Sequence, residues 1–301
     1  MNITCQSPIQ TQRIEAILLT VTDIDRSINF YTKALRFTVI DDGIFTEISP
    51  NKIRVVTLKL GDEKIRLIQY FDKIGKPILQ DSQSNDLWFQ HFAIVVSDMD
   101  EAYNHLKSFP FEAISTAPQT IPPGNKEAAY IQAFKFRDPD RHPLELIWFP
   151  SDKGQQKWHQ KSDRLFLGID HTAIAVANTE QSLQFYRDFL GMQVNGGSFN
   201  WRETQARMDG LPDAKVRITA LRPIQGGLGI ELLDYIKPEN SRPIPPDLKT
   251  YDIASTQIEL IIDEAQFRQN KIQLENFPFL HHKSYRIQDP TGHSLLLIPK
   301  A

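Results

Sequence analysis

Short runs of apolar, often β-branched residues recur along the chain, and each run is followed by a polar residue and an amphipathic segment. Residues 16–23 and 171–178 are two such runs, and each predicts a β-strand. The segments that follow them, 25–31 and 180–186, have helical apolar spacing and end in the same Phe-Tyr pair. Because strand and helix keep one spacing in both places, the chain contains an internal repeat.

Two weaker copies of the same pattern fill the remaining sequence. Residues 91–98 and 257–263 are apolar runs, and each is followed by a short helical pattern. Further strand patterns complete every copy, so each one reads as a βαβββ unit. The four units span residues 13–73, 88–150, 167–236 and 253–300.

Capping residues and turn motifs in the sequence predict where the helices and the last two strands begin and end. Asp23, Asp98, Thr179 and Asp263 are expected to cap the four helices, and Gly191 to close the third. Asp-Pro turns at 138–141 and 289–292 join the last two strands of copies two and four. The Phe-Tyr pairs, Phe30-Tyr31 and Phe185-Tyr186, are expected to pack in the core, while His142 and His293, which follow the turns, are expected to face solvent.

Composition narrows the function classes. The 301 residues carry a net charge of -3 and no basic stripe, so no nucleic-acid partner is expected. Cys5 is the single cysteine, which rules out an internal disulfide. We find neither a run of eighteen apolar residues nor an amino-terminal run of signal-peptide length, so the expected location is the cytoplasm, without membrane attachment.

The segments 171–191 and 138–148 together resemble the vicinal oxygen chelate superfamily, which includes glyoxalase I, bleomycin-binding proteins and extradiol dioxygenases. The resemblance covers nearly the whole chain. It implies an α+β fold in which four βαβββ units pair into two half-barrel modules. It divides the chain into an amino-terminal half, 1–155, and a carboxy-terminal half, 156–301.

In this family the concave face of each module can hold a divalent metal, with ligands from the first and last strand of each unit. Carried over to this sequence, the resemblance gives donors in copies two and three only. Those donors are His91, Glu145, His171 and Glu231. The corresponding residues of copies one and four are Ala16, Arg66, Gln257 and Leu296, of which only Gln257 is a possible ligand.

Two pairings of the units are open. If neighbours pair, His91 and Glu145 share a module with Ala16 and Arg66, and His171 and Glu231 share one with Gln257. If the pairing is crossed, copy two meets copy three and all four strong donors share one site. We favour the crossed pairing, since random loss of ligands would more often damage both modules.

Two imidazoles and two carboxylates suit Zn, Ni, Mn, Co or Fe(II). A lone histidine or glutamate on a strand is usually structural, and the metal hypothesis depends on four donors at equivalent positions of two copies. The leading functional hypothesis is a glyoxalase-like lyase or isomerase that forms an enediolate, with Glu145 or Glu231 as general base.

Two further functions stay open from the sequence. One is an Fe(II) extradiol-type dioxygenase, although the acid–base histidine and tyrosine of that class are not identifiable. The other is a metal-free protein that binds a small, antibiotic-like molecule. In each case the partner is a small molecule, the chain is a monomer or homodimer, and residues 113–127 and 198–210 are expected to form pocket walls.

Overall fold

The four predicted units are present in the computed structural model, which describes residues 8–45, 52–269, 275–276 and 283–300. Unit one consists of β1 (Thr11–Thr20), α1 (Ile24–Lys33), β2 (Thr38–Phe45), β3 (Ile53–Leu60) and β4 (Glu63–Tyr70). Unit two consists of β5 (Gln90–Val96), α2 (Met99–Leu106), β6 (Glu112–Ala113), β7 (Gln119–Thr120), β8 (Gln132–Arg137) and β9 (Pro143–Trp148).

The carboxy-terminal half has the same order. A 3₁₀ turn, Gln156–His159, precedes unit three. That unit consists of β10 (Phe166–Ala175), α3 (Thr179–Leu183, continued by a π-helical turn Gln184–Phe189), β11 (Gln193–Asn200), α4 (Arg202–Asp209), β12 (Lys215–Arg222) and β13 (Gly229–Lys237). Unit four consists of β14 (Thr256–Asp263), α5 (Glu264–Gln269), β15 (Glu275–Asn276), β16 (Tyr285–Gln288) and β17 (Ser294–Lys300).

The units pair in the crossed arrangement. β1 of unit one pairs antiparallel with β14 of unit four, and β5 of unit two pairs antiparallel with β10 of unit three. One sheet therefore has the order β15-β16-β17-β14-β1-β4-β3-β2, and the other β11-β12-β13-β10-β5-β9-β8-β6. Within every unit the first and last strands are parallel neighbours. The fold is thus α+β, as predicted.

The core lies between the helices and the outer faces of both sheets. One contiguous cluster of buried side chains contains residues from all four units, including Tyr31, Phe92, Tyr186 and Leu260. Burying this much apolar surface is the main stabilising contribution to the fold. The prediction that the Phe-Tyr pairs pack in the core is confirmed, since Phe30, Tyr31, Phe185 and Tyr186 are all buried.

The predicted helix ends are largely confirmed. The Asp23 and Asp98 side chains accept hydrogen bonds from backbone amides of the first helical turn, and the Asp263 side chain accepts one from Gln266. The exception is the third helix, which is capped by Asn178 rather than Thr179. The Thr179 hydroxyl instead donates to the carboxylate of Asp234 on β13 (2.7 Å), so the preceding residue takes the capping position.

The expectation that His142 faces solvent is wrong. Its side chain is buried, with Nδ1 3.1 Å from an Asp138 carboxylate oxygen and Nε2 3.0 Å from the Ile253 carbonyl oxygen. Tyr31 of unit one donates to the same carboxylate at 2.9 Å. The turn aspartate therefore brings together a tyrosine from α1 of unit one and a histidine from its own turn in one buried trio.

The same expectation is wrong for His293, which is also buried and whose backbone amide donates to the Asp289 carboxylate at 2.8 Å. Tyr186 donates to Asp289 at 3.1 Å, and His293 Nε2 lies 2.8 Å from the carbonyl oxygen of Ala175. The two trios fasten unit one to unit two and unit three to unit four, so each links the two sheets. Among the helices that the structure describes, none is long and apolar enough to span a membrane.

Candidate metal centre

The four predicted donors meet on the concave face of the sheet formed by units two and three. His171 pairs with Ala93 and His91 with Ala173 across the β5–β10 ladder. In the outer ladders Glu145 pairs with Ala93, and Glu231 pairs with Ala173. Each alanine is thus flanked by one histidine and one glutamate. Because alanine has no side chain beyond Cβ, the space between the donors stays open.

Three of the four donors form a tight group. One ligand atom each from His91, Glu145 and His171 lies within 4.8 Å of the other two, and all three side chains are buried. His91 Nε2 is 2.8 Å from a Glu145 oxygen. The fourth donor, Glu231, stands at the edge of the group, with an oxygen 3.4 Å from His171 Nε2 and its side chain 24% exposed.

The unsatisfied polar atoms of this group fit a cation. Although His91 lies against Glu145, neither of its ring nitrogens makes a hydrogen bond of acceptable geometry with the described residues. Buried nitrogens without partners are costly, and a coordinated ion would remove that cost. Metal–nitrogen bonds are about 2.0–2.1 Å long, so ligand atoms within 4.8 Å of one another need only a small side-chain movement to share one ion.

The two glutamates have opposite electrostatic environments. Burial raises the pKa of Glu145, but His91 and the ammonium of Lys135 outweigh burial and lower it to about 2. Burial also raises the pKa of Glu231, and Glu145 and Asp170 add to that, so its pKa stays above the ordinary value despite His171. Glu145 is therefore the stronger anion, and Glu231 the better proton acceptor near neutral pH.

The two histidines differ in the same way. Burial lowers the pKa of His91 to about 4 despite the nearby Glu145 carboxylate. Burial also lowers the pKa of His171, but the Glu231 and Asp170 carboxylates reverse the effect and raise it to about 9. His91 can therefore bind a cation directly as the neutral imidazole, whereas His171 must lose a proton before it can bind one.

The sequence analysis missed Asp170, a buried carboxylate immediately before His171. Strict strand alternation would put adjacent residues on opposite faces. The pairing of β10 with β5 shifts between Ile169 and His171, so Asp170 is the extra residue of a bulge. A bulge re-aims side chains, and here both Asp170 and His171 line the same cavity. The adjacent Asp-His pair was visible in the sequence, but the bulge was not.

A buried ion pair, also missed, adjoins the site. Lys135 of β8 donates to Asp209 of α4 at 2.6 Å, and Gln205 donates to the other oxygen of that carboxylate at 2.7 Å. Lys135 is the cross-strand partner of Glu145 and lines the cavity. Nothing in the sequence relates these residues, since they lie 74 positions apart and in different halves of the chain.

The charges around the cavity favour a divalent ion. Coordination would remove the proton of His171, and with both imidazoles neutral the four carboxylates and two cationic side chains around the donors leave two uncompensated negative charges; Glu127 and Lys153, which also line the cavity, cancel each other. Buried charges require pairing or a metal, and one divalent cation would balance this set. The carboxylates belong to Glu145, Asp170, Asp209 and Glu231, and the cations to Lys135 and Arg222.

The cavity in front of the donors has a volume of about 310 Å³, which is in the range of small-molecule sites. Ile121 and Glu127 from one predicted wall, and Ser198, Asn200, Gln205 and Met208 from the other, contribute to its lining. Arg222 also lines this cavity. It is already paired with Asp170 at 2.8 Å.

The corresponding positions of units one and four lie on the other sheet. Ala16 and Leu296 are buried in a small apolar cluster there. Arg66 is paired with the fully buried Glu259 at 2.9 Å and donates to Thr57 at 2.9 Å. Gln257 is buried, and its side-chain amide oxygen, Oε1, has no hydrogen-bond partner among the described residues. At the positions where the other sheet has the candidate metal ligands, this sheet therefore has an internal ion pair.

Comparisons with known proteins agree with this architecture. Solved structures with a similar fold include glyoxalase I from Zea mays, at 15% identity over 95% of this chain and 92% of that chain, with a TM-score of 0.65. Another is described as a "putative dioxygenase from Bacillus subtilis subsp. subtilis str. 168", at 11% identity over 96% and 86%, with a TM-score of 0.58. These likenesses show the fold alone. No curated protein sequence matches the chain significantly.

The family comparison is more specific, because it tests the sequence itself. The model of the Glyoxalase/Bleomycin resistance protein/Dioxygenase superfamily matches residues 13–146 and again residues 168–297. The two matches cover most of the chain and contain all four candidate donors. This chain belongs to the Glyoxalase/Bleomycin resistance protein/Dioxygenase superfamily.

Proposed function

We propose that this protein is a metal-dependent lyase or isomerase of glyoxalase type, acting on a small substrate with two neighbouring oxygens through an enediolate. The observation that carries the proposal is the convergence of His91, Glu145 and His171, with a second carboxylate beside them. Membership of the superfamily and the likeness to glyoxalase I in fold support it.

The residues that would hold the ion are His91, Glu145 and His171. Such an ion, which could be Zn, Ni, Mn, Co or Fe(II), would act as a Lewis acid that polarises the substrate oxygens. Glu145 suits the ligand role, because its pKa of about 2 keeps it ionised throughout the neutral range. The buried position of all three groups fixes their geometry before a substrate enters.

Glu231 is the group that would move the proton. Its carboxylate stands beside the three ligands, is more exposed than Glu145, and has a raised pKa. A general base works best when its pKa approaches the working pH, so Glu231 suits that role better than Glu145. It would take the proton from the hydroxyl-bearing carbon of the substrate and return it to the adjacent carbon, which carried the carbonyl oxygen, while the hydroxyl proton passes from the first oxygen to the second.

The surrounding cavity would position the substrate and limit water. Lys135 is buried next to the ligands, and its positive charge is available to offset negative charge that builds up on the substrate. Apolar side chains such as Ile121, Met208 and Leu233 also line the cavity, as is usual for small-ligand sites.

The proposal is tested by metal analysis and turnover. The purified chain is loaded separately with Zn, Ni and Co, its bound metal is counted, and each form is assayed with hemithioacetals of α-oxoaldehydes. We expect one tightly bound ion per chain and turnover that Glu231→Gln abolishes while metal content is retained. Glu180→Gln, an exposed glutamate on α3, is the matched control and should leave both unchanged.

Two outcomes would contradict the proposal. The first is a chain that binds no metal under any loading condition. In that case, small-molecule binding that survives His91→Ala would identify a metal-free binding protein instead. The second is a metal-loaded chain that neither binds nor turns over any such adduct, which would leave the metal centre without the proposed reaction.

One observation favours a second candidate function, an Fe(II) extradiol-type dioxygenase. The tight group consists of two histidines and one carboxylate, which is the ligand set of non-haem Fe(II) oxygenases. Against it, the described residues that line the cavity include no third histidine and no tyrosine to act as acid and base. Anaerobic loading with Fe(II), followed by catechol and air, discriminates the two, since ring cleavage gives a coloured product.

A further inference from the structure

The buried carboxylate of Asp170 makes four polar contacts. One oxygen accepts from Trp158 at 2.8 Å and from Gln155 at 2.9 Å. The other oxygen accepts from Arg222 at 2.8 Å and lies 3.1 Å from Nδ1 of His171. A carboxylate has about four acceptor positions, and these four contacts use all of them.

The contact with His171 fixes which ring nitrogen carries the hydrogen. An ionised carboxylate only accepts hydrogen bonds, so the nitrogen next to Asp170, Nδ1, must be the donor. The other nitrogen, Nε2, faces Glu231 at 3.4 Å and the other candidate ligands, so its lone pair becomes available to a cation there once that nitrogen has lost its proton. His91, in contrast, has no such partner among the described residues at its Nδ1.

The internal repeat offers a comparison within the same chain. Glu15 of β1 occupies the position of Asp170, and the pairing of β1 with β14 shifts at the same place. The next residue in that copy is Ala16, which has no imidazole to orient. The Glu15 carboxylate pairs instead with Lys64 at 2.7 Å and Arg13 at 2.9 Å, both partly exposed. The bulge therefore recurs in unit one without a histidine after it, but the set of four contacts around the Asp170 carboxylate does not recur there.

We propose that Asp170 is a positioning residue that holds His171 in the Nδ1-protonated form, with Nε2 presented to a divalent cation. The inference rests on the proposed metal centre. It also assigns a role to the segment between the two halves of the chain, because Gln155 and Trp158 of that segment supply half of the donors that hold Asp170. Carboxylates in this outer position typically strengthen metal binding at the histidine they hold.

The test measures Co(II) binding by the full chain, with Co(II) itself as the probe. We expect Asp170→Asn to weaken Co(II) affinity about 10- to 100-fold and to change the visible d–d spectrum of the bound ion. Exchangeable ring-proton signals in the paramagnetic proton NMR spectrum provide a second readout. The signal of the His171 Nδ1 proton, which is buried and bonded to Asp170, should exchange slowly in the unchanged chain and fast in the variant.

Glu15→Gln is the matched control, since it alters the same bulge position of the repeat on the other sheet. It should leave Co(II) affinity, spectrum and ring-proton signals unchanged. If Asp170→Asn does not fold, Trp158→Phe removes a single donor to Asp170 and should weaken affinity about three- to tenfold, by the same outer-shell effect.

Each outcome decides the inference. Unchanged Co(II) affinity and spectrum in the foldable variant would overturn it while leaving the metal centre intact. Equal losses in Glu15→Gln would also overturn it, because the effect would then be general destabilisation. If the unchanged chain binds no Co(II), the proposed function fails together with the inference. Loss that is confined to the Asp170 and Trp158 variants would support it.

Discussion

Removing the charge of Asp209 should destabilise the protein by about 3 kcal/mol, because it leaves Lys135 buried without its partner. The two charged atoms are 2.6 Å apart, and the side chains are 5% and 0% exposed. At that distance and an effective dielectric constant of about 20, their attraction is about 6 kcal/mol. Part of this offsets the cost of removing both groups from water, so the attraction is not a net stabilisation.

The expected size follows from what remains around the ammonium. Breaking one side of a buried pair typically costs about 3–5 kcal/mol. Glu145 and Glu231 both lie near enough to act on Lys135 electrostatically, so they compensate part of the lost charge. We therefore expect Asp209→Asn to fall at the lower end of that range. Lys135→Met in the same background should recover most of the loss, because no ammonium then stays buried without Asp209.

Urea unfolding in the presence of EDTA, followed by circular dichroism and tryptophan fluorescence, measures both free energies. Coincident transitions in the two signals are required before a single free energy is assigned. The exposed pair of Lys237 and Glu239 is the matched control, and Glu239→Gln should leave the free energy of unfolding unchanged within error. A loss below about 1 kcal/mol in Asp209→Asn, or a double variant no more stable than the single one, would refute the reasoning.

Three further predictions concern other parts of the molecule. Glu145→Gln should weaken Zn affinity at least about 100-fold and Glu231→Gln less than about tenfold, since only Glu145 belongs to the tight ligand group; isothermal titration measures both. Burial lowers the pKa of His142, but the Asp138 carboxylate outweighs burial and raises that pKa above the ordinary value. The stabilisation that protonated His142 gives the folded state should therefore be fully present below about pH 6.5 and should be lost as the pH rises through the raised pKa. Unfolding free energies of His142→Gln should therefore differ from those of the unchanged chain most in acid and least in alkali, and a constant difference would contradict this. Gly210→Ala should cost at least about 1 kcal/mol in a thermal unfolding experiment, because φ is +62° there and a Cβ would lie 2.8 Å from a backbone oxygen.

The repeat made the fold and most of the candidate site predictable. Units that share one spacing bring the same residue positions to the same places, so His91 and His171 could be aligned before any strand was placed. Glu145 followed from the family resemblance, which implies a ligand on the last strand of a unit. The crossed pairing was favoured by the distribution of donors among the copies, which is an argument from chemistry rather than from local pattern.

Features that depend on irregular backbone or distant contacts could not be predicted in this way. Asp170 reaches the cavity through a bulge, and alternation would place it on the other face. His142 follows a turn, which usually means exposure, yet Asp138 and the Ile253 carbonyl draw it inside. Lys135 meets a carboxylate from the other half of the chain, so no short-range pattern could reveal the pair.

The concave faces of the two sheets carry buried charges in two different arrangements. Where unit two has Ala93, unit four has Glu259, and where unit three has Glu231, unit one has Arg66. The face of units one and four thus contains its own cation, which pairs with its own carboxylate at 2.9 Å. The face of units two and three has two carboxylates and the His91 nitrogens, which have no hydrogen-bond partner among the described residues, around two alanines. A protein core tolerates buried charges only when they are balanced, so the first face is complete as it stands, and the proposed cation would complete the second.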